Sequence, residues 1–292
     1  WKAGSAAGGV GTAGAVALVL TWPLRRRRLV RWAAVAAAGV FGLSRGLAGW
    51  QVVTLYANRA GTELADPIFG QPVSFYLFVL PFYDALQGLV AWTAVVGLVA
   101  WAVARYVRFE RGTILLAPAE DDRRDAAARG ALVLSAAALL AAWAWGDYLN
   151  RYHLLYSQWG AVAGAGWTDV HVRLPGYWIS CGVAGVLAAV LLIGPARRRV
   201  LEAPARRWLR RAGAPAGSAG PAGVALALAA PVAVWLVALG LAPGLLQWLR
   251  VEPNEITFEK PYIAHNIRFT RHGYRLHEAD TRQFPATGEL TR

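Results

Sequence analysis

The residues with the most chemistry to offer lie in a polar and aromatic stretch between residues 147 and 175. Its ionisable side chains are Asp147, Arg151, His153, Asp169, His171 and Arg173. Imidazole and carboxylate groups are competent zinc ligands, so a metal site is the first hypothesis to weigh. The two histidines stand 18 residues apart, with no close-spaced ligand pair of the HxxxH or HxH type. The favoured interpretation is a metal-free, hydrogen-bonded and ion-paired cap that holds the loop Gly160–Gly166 against the outer ends of the helices.

The spacing within this stretch predicts two local structures. Asp169, His171 and Arg173 alternate with apolar residues, which is the period of an extended strand with one polar face. Asp147 and Arg151 are four residues apart, so they share a face if the preceding helix continues through them.

A second pair of candidate residues lies within apolar segments. Arg45 is about five residues from the end of one segment, where its long side chain can reach the headgroups. The alternative is an intramembrane pair with Asp84, three residues past Pro81 at a similar predicted depth. A charge at the bilayer centre costs about 3 kcal/mol, so a facing partner would be favoured.

Composition identifies the elements that must position these residues. Hydrophobic residues make up 57% of the 292-residue chain and charged residues only 16%, with the apolar residues gathered in blocks. A soluble domain would instead spread them at helical or strand period. The sequence therefore predicts an all-α, polytopic helical membrane protein with ordered extracytoplasmic loops.

About six membrane spans are predicted, at 6–22, 32–50, 82–104, 126–145, 176–193 and 224–249. A helix unbroken from Phe75 to Arg105 would be about 46 Å long, against a hydrocarbon core of about 30 Å. The aromatic segment before Pro81 is therefore predicted to lie along the interface. Pro231 and Pro243 predict a kink or an early end in the last span.

The positions of the charges decide how the net charge of +13 is interpreted. Three short segments, 25–31, 105–129 and 197–211, hold 18 of the 30 Lys and Arg residues. They alternate with loops of balanced charge, as the positive-inside rule predicts for cytoplasmic loops. Nucleic-acid binding is therefore not favoured, and the predicted location is a bacterial cell membrane.

The chain divides at about residue 250 into a transmembrane domain, 1–249, and the start of an extracytoplasmic soluble domain, 250–292. The second part is polar, contains no apolar run and emerges outside by the alternation of spans. Pro261 is predicted in the first turn of a helix.

Three stretches together resemble one family. The first is Asp66-Pro67-Ile68-Phe69-Gly70 followed by Ser74-Phe75-Tyr76-Leu77-Phe78-Val79-Leu80-Pro81-Phe82, and the second joins Arg151-Tyr152-His153-Leu154-Leu155-Tyr156-Ser157 to Thr168-Asp169-Val170-His171-Val172-Arg173-Leu174-Pro175. The third joins Pro253-Asn254-Glu255 to Glu259-Lys260-Pro261-Tyr262-Ile263-Ala264-His265-Asn266-Ile267 and Thr270-Arg271. The chain resembles the large bacterial membrane proteins of uncharacterised protein family 0182.

The resemblance implies about seven N-terminal transmembrane helices and a large extracytoplasmic C-terminal region. This chain is then expected to be a fragment without the first helix and most of that region. The family supplies no established activity, catalytic residue or cofactor, and none is predicted here.

Two functions follow as hypotheses, with an envelope enzyme left open as a third because an active site could lie in the missing part. The first is a membrane anchor or scaffold whose outer loops, 147–175, dock the extracytoplasmic domain. Its expected partners are the lipid bilayer, the missing C-terminal domain and envelope proteins. The alternative is a transporter or channel for an ion or small solute that uses Arg45 and Asp84.

Overall fold

The chain folds into helices that are long and apolar enough to cross a membrane. The computed structural model describes residues 49–110, 113–116, 122–160, 162–213, 218–276 and 278–279. Within these ranges the candidate spans are Phe75–Val99, Arg129–Tyr156, Asp169–Leu192 and Ala219–Gly273. They correspond to the third to sixth predicted spans, so the helical membrane class is confirmed. The first predicted span and nearly all of the second, with Arg45, lie outside the described residues, and the count of six stays a prediction.

The described residues form two compact units, the first made of 49–152 with 177–236 and the second of 153–176 with 237–279. In chain order the α-helices are α1 Leu80–Tyr106, α2 Asp122–His153, α3 Leu174–Leu192, α4 Gly194–Arg197, α5 Ala203–Arg211, α6 Ala219–Trp235, α7 Ala242–Leu246 and α8 Glu255–Gly273. A short antiparallel pair, β1 Val107–Glu110 and β2 Thr113–Leu116, lies between α1 and α2. The segment 105–129 therefore combines this ribbon with the start of α2.

Alanine contributes four of the nine buried residues in the core of the first unit. Its buried members are Leu132, Ala136, Ala137, Leu140, Ala188, Leu191, Leu201, Val224 and Ala227. Lipid tails are as apolar as leucine, so helices in a membrane associate mainly by close van der Waals packing. The alanines of α2, α3 and α6 permit that close approach.

Polar side chains tie α1 to α2. The Gln87 side chain donates a 2.9 Å hydrogen bond to the Ala142 carbonyl oxygen. Gly146 leaves room for that side chain, because a Cβ there would lie 2.9 Å from the Gln87 amide nitrogen. At Gly97 an added Cβ would overlap the Ser135 hydroxyl. Glycine at these two positions therefore lets α1 and α2 come close.

The π-helical turns of the described chain each end two residues before a proline. The turns are Phe75–Val79, Asp169–Arg173, Arg198–Glu202, Leu236–Leu241 and Gln247–Val251, and the prolines are Pro81, Pro175, Pro204, Pro243 and Pro253. A proline ring clashes with the carbonyl group four residues earlier and supplies no N–H group. The wider turn provides an extra residue at that point, so the helix continues through the proline.

Two predictions about prolines are therefore wrong. The aromatic segment before Pro81 does not separate from the span, because helix runs from Phe75 through Pro81 into α1. Pro261 lies inside α8, which begins six residues earlier at Glu255, rather than in the first turn. Pro231 lies inside the continuous helix α6, so the last span does not end there, and the predicted kink stays a prediction.

Gly176 generates a prediction about packing in the second unit. A Cβ at this position would lie 2.9 Å from both the Ala238 carbonyl oxygen and a Leu239 methyl group. Because backbone cannot move aside as a flexible side chain does, Gly176→Ala should destabilise the protein by about 1–3 kcal/mol. Thermal unfolding of the purified protein in detergent measures the change.

The control is Gly182→Ala in the same helix, where an added Cβ meets nothing within 4 Å. It should leave the unfolding temperature unchanged or raise it slightly, because alanine favours helix. Equal unfolding temperatures for the two variants would show that Gly176 is not in close contact.

Candidate functional site

The polar residues 169–173 are helical, so the predicted strand is wrong. The Asp169 carboxylate accepts a 3.1 Å hydrogen bond from the Gly166 N–H group and a 2.7 Å ion-paired bond from Arg173. The ring of His171 stacks on Trp167 with the ring centroids 4.6 Å apart. Alternation of polar residues also produces pairs four residues apart, and these pairs stabilise helix.

Ser157 organises the loop before this helix. Its backbone oxygen accepts the N–H group of Gly164, and its hydroxyl accepts the N–H group of Trp159. Arg173 donates a 3.4 Å bond to the same hydroxyl, and its guanidinium lies 5.4 Å from the centre of the Trp159 ring. Arg173 therefore connects the loop to Asp169.

His153 lies beside Tyr156, with the ring centroids 6.1 Å apart.

Glu259 of α8 is buried against the loop of the second unit. The residue is only 1% exposed, and its Oε1 atom accepts a 3.1 Å hydrogen bond from the backbone N–H group of Trp167, 92 residues earlier. A Cβ at Gly166 would lie 3.0 Å from both carboxylate oxygens, and one at Gly160 would lie 3.2 Å from Oε2. Among the described residues, Oε2 has no hydrogen-bond partner. Glycine at these two positions therefore leaves room for the carboxylate, which an added Cβ would force to shift by a few tenths of an ångström.

Further contacts join the same loop to the C-terminal helices. The Asn266 side chain donates a 2.7 Å bond to the Ala163 carbonyl oxygen, and the Thr168 hydroxyl donates to the Gln247 side-chain oxygen. The Arg250 guanidinium lies 5.5 Å from the Trp167 ring centre. These pairs are separated by 79 to 103 residues in sequence, so they join the two segments of the chain that form the second unit.

Trp167 has an apolar role beside its backbone bond. Its ring lies 5.0 Å from that of Phe258, and the Arg250 guanidinium lies within 5.7 Å of both ring centres. Stacking of a guanidinium on aromatic rings stabilises by about 0.5–2 kcal/mol, depending on solvent access. Trp167 thus carries contacts to Glu259, His171 and the start of α8.

The remaining two predicted cap residues belong to the first unit, on α2. Asp147 is buried and accepts a 2.9 Å hydrogen bond from the Trp143 indole, one helical turn earlier. The Arg151 guanidinium lies 3.8 Å from the Tyr148 ring centre, 4.5 Å from that of Trp178 and 4.6 Å from that of Tyr152. Each residue therefore finds its own partners on and around the helix.

Asp66, in the first of the motif stretches, is buried and stabilises a partly exposed loop in the first unit. Its carboxylate accepts hydrogen bonds of 2.7–2.9 Å from the backbone N–H groups of Ile68, Phe69 and Gln71 and from the Tyr76 hydroxyl. This motif therefore has a structural explanation.

The structure gives less support to the other two candidates, the intramembrane pair and the metal site. Asp84 is half-buried near the start of α1, whereas Arg45 falls outside the described residues, so their pairing stays a prediction. Among the described residues, no three His, Cys, Asp or Glu side chains converge in a way that could hold a metal ion. Within the second unit, the loop contacts the C-terminal helices of the same chain.

The residues of this candidate site that the sequence did not predict are those that contact the loop from the C-terminal side. They are Glu259, Gln247, Asn266 and Arg250, together with Trp167 in the loop itself. Glu259 and Asn266 lie within the third motif stretch, which was the available signal. The spacing of residues along the sequence does not predict that they contact the loop.

Comparison with known proteins gives a consistent match. The model of the uncharacterised protein family UPF0182 matches residues 15–292. A UPF0182 protein of Synechococcus sp. (strain JA-3-3Ab) is 36% identical over 274 residues, covering 89% of this chain and 31% of the relative. One of Geobacter sp. (strain M21) is 34% identical, covering 87% and 25%. One of Salinibacter ruber is 34% identical, covering 92% and 26%.

The chain thus spans about a quarter to a third of the length of these curated relatives. No solved structure matches it.

The Glu259 contact generates a prediction with two variants. Glu259→Ala leaves the Trp167 N–H group unpaired and opens a cavity, so hydrogen exchange of residues 162–170 should accelerate about tenfold to hundredfold. Glu259→Gln keeps the acceptor oxygen and removes a buried charge, so exchange should stay near the parent rate. Exchange measured by mass spectrometry on the purified protein tests both.

Glu255→Ala is the control, because Glu255 is an exposed acid at the start of the same helix. If it accelerates exchange as much as Glu259→Ala, the buried carboxylate has no special role.

Proposed function

The chain belongs to the uncharacterised protein family UPF0182, and on that premise we propose that it is the membrane anchor of a larger envelope protein. In this proposal the loop within 147–175 docks the chain segment that leads into an extracytoplasmic C-terminal region. The anchor acts as a scaffold: it sets where that region leaves the membrane and in which orientation. No catalytic residue is part of this proposal.

The observation that carries the proposal is the burial of Glu259 against the loop. A buried carboxylate with one unpartnered oxygen is costly, so it persists only where the surrounding contacts hold the two segments together. Here those contacts are hydrogen bonds from Trp167, Thr168 and Asn266 across the second unit. Such a joint resists rotation better than an apolar contact alone.

The distribution of charged residues supports the proposal that the docking loop lies on the extracytoplasmic side of the membrane. The segment 197–211, with seven arginines and one acid, suits the cytoplasm by the positive-inside rule, whereas 105–129 is mixed in charge, with six arginines and five acids. The balanced charge of 147–175 and of 250–292 suits the opposite side. The proposed location is therefore the bacterial cell membrane, with the C-terminal end of this chain outside.

The docking proposal predicts the effect of a triple substitution. Asp169→Ala/His171→Ala/Arg173→Ala removes the ion pair and the Trp167 stacking partner that stiffen the loop. In the full-length protein in native membranes, α8 should then be cleaved by chymotrypsin about tenfold faster, since its docking partner is loosened. Cleavage is followed by the appearance of fragments ending at Tyr262 or Phe269.

The matched control is Glu255→Ala/Lys260→Ala/Arg271→Ala, which removes three exposed charges from α8 itself. It should leave the cleavage rate unchanged. Unaltered cleavage in the cap variant would rule out docking by this loop.

A transporter or channel is the second candidate, and one observation favours it. Asp147 is 3% exposed within the candidate span Arg129–Tyr156, and ionisable residues buried in spans commonly mark ion pathways. The hypothesis also keeps Asp84 and Arg45 as a pair. Its main obstacle is that Asp147 already has the Trp143 indole as a partner.

Flux measurements distinguish the second candidate from the first. If the protein transports an ion, Asp147→Asn and Asp84→Asn should each reduce flux in proteoliposomes by about tenfold or more, because a neutral amide cannot carry the charge. Glu202→Gln, outside the candidate spans, serves as the control. Flux that is absent, or equal in all four proteins, removes this candidate.

A further inference from the structure

A strongly basic segment lies between α3 and α6, at 194–213. It contains seven arginines and one acid, Glu202. That acid is already engaged, because its carboxylate accepts a 3.1 Å bond from Arg197 and lies 4.0 Å from Arg206. The other arginines are exposed. The segment therefore offers a concentrated positive charge that its own acid does not neutralise.

The segment is fixed at the ends of two apolar helices. Leu201 is buried in the same core as Leu191 at the end of α3 and Val224 near the start of α6. A Cβ at Gly223 would lie 3.3 Å from the Leu201 backbone carbonyl carbon, so the two backbones are in close contact. Arg197 also donates a 2.9 Å bond to the Leu191 carbonyl oxygen. These contacts hold the charges where the apolar spans end.

The arginines of α5 lie on one face of the helix, and its apolar side chains lie on the other. With 3.6 residues per turn, its four arginines fall within an arc of about 140°. Ala205 and Leu209 lie on the opposite arc, where Ala205 is buried. Trp208 lies on the same arc as Ala205 and Leu209 and is 68% exposed. An amphipathic helix with a basic face and an exposed indole on the other face is typical of membrane-surface helices.

We propose that α5, with the preceding arginines 198 and 199, binds the headgroups of anionic phospholipids. A guanidinium presents donors that match phosphate oxygens in pairs, and each basic residue near an anionic membrane surface strengthens its attraction. The exposed indole of Trp208 supplies an apolar body and a polar N–H group, which favours the headgroup region.

A lipid fits this surface better than a soluble anion or an acidic protein. The basic segment packs beside Leu191, at the end of α3, and Val224, near the start of α6. A bilayer around these spans therefore brings its headgroups to the arginines. The proposal depends on the membrane assignment and shares no residue with the docking loop. Failure of the docking proposal therefore leaves it unaffected.

The test uses the purified protein in nanodiscs of equimolar phosphatidylglycerol and phosphatidylcholine. The lipids that stay bound after transfer to detergent are counted by native mass spectrometry. The parent protein should retain phosphatidylglycerol over phosphatidylcholine by about tenfold or more. Arg207→Gln/Arg210→Gln/Arg211→Gln should lose most of that preference, whereas replacement of the same three residues by lysine should keep part of it.

The matched control removes the same charge from α8, as Lys260→Gln/Arg268→Gln/Arg271→Gln, and should keep the full preference. Inorganic phosphate added at constant ionic strength should not displace the bound phosphatidylglycerol. The proposal is overturned if the parent shows no preference, if both glutamine variants lose it equally, or if inorganic phosphate displaces the lipid. The unfolding temperature of each variant identifies any loss that comes from misfolding.

Discussion

The carboxylate of Glu259 lies against two glycines and one backbone N–H group, and this contact constrains the whole second unit. Water is excluded from the residue, so the cost of its burial must be met by contacts that keep the loop and α8 together. Gly160 and Gly166 permit the approach because they lack side chains. The position of Trp167 follows, and through it the positions of His171 and Arg250.

The first unit depends on a different constraint, close packing between apolar helices. Its core is rich in alanine, and Gly97 and Gly146 bring α1 against α2. Two polar groups inside it form short-range contacts, Gln87 with a backbone carbonyl and Asp147 with an indole. The proposed scaffold role is compatible with such contacts, since a conducting path needs polar groups that face water.

Much of the architecture could be predicted because hydrophobicity in a membrane is a property of consecutive residues. The last four apolar runs predicted the four candidate spans of the described residues. Predictions failed where two local rules competed. The residues 169–173 fit both a strand and a helix, and Asp169 with Arg173 decided for helix. Proline signals were also misleading, since a π-helical turn lets the helix pass Pro81.

The sequence by itself determined the helical membrane class, the positions of the apolar spans and the family, because each rests on composition or on ordered motifs. It also drew attention to 147–175 as the polar region. Only the tertiary structure decided what that region contacts. Glu259 is 92 residues from Trp167, and nothing in local spacing records which distant carboxylate two glycines will admit. Long-range pairing of this kind is set by how backbones approach in three dimensions.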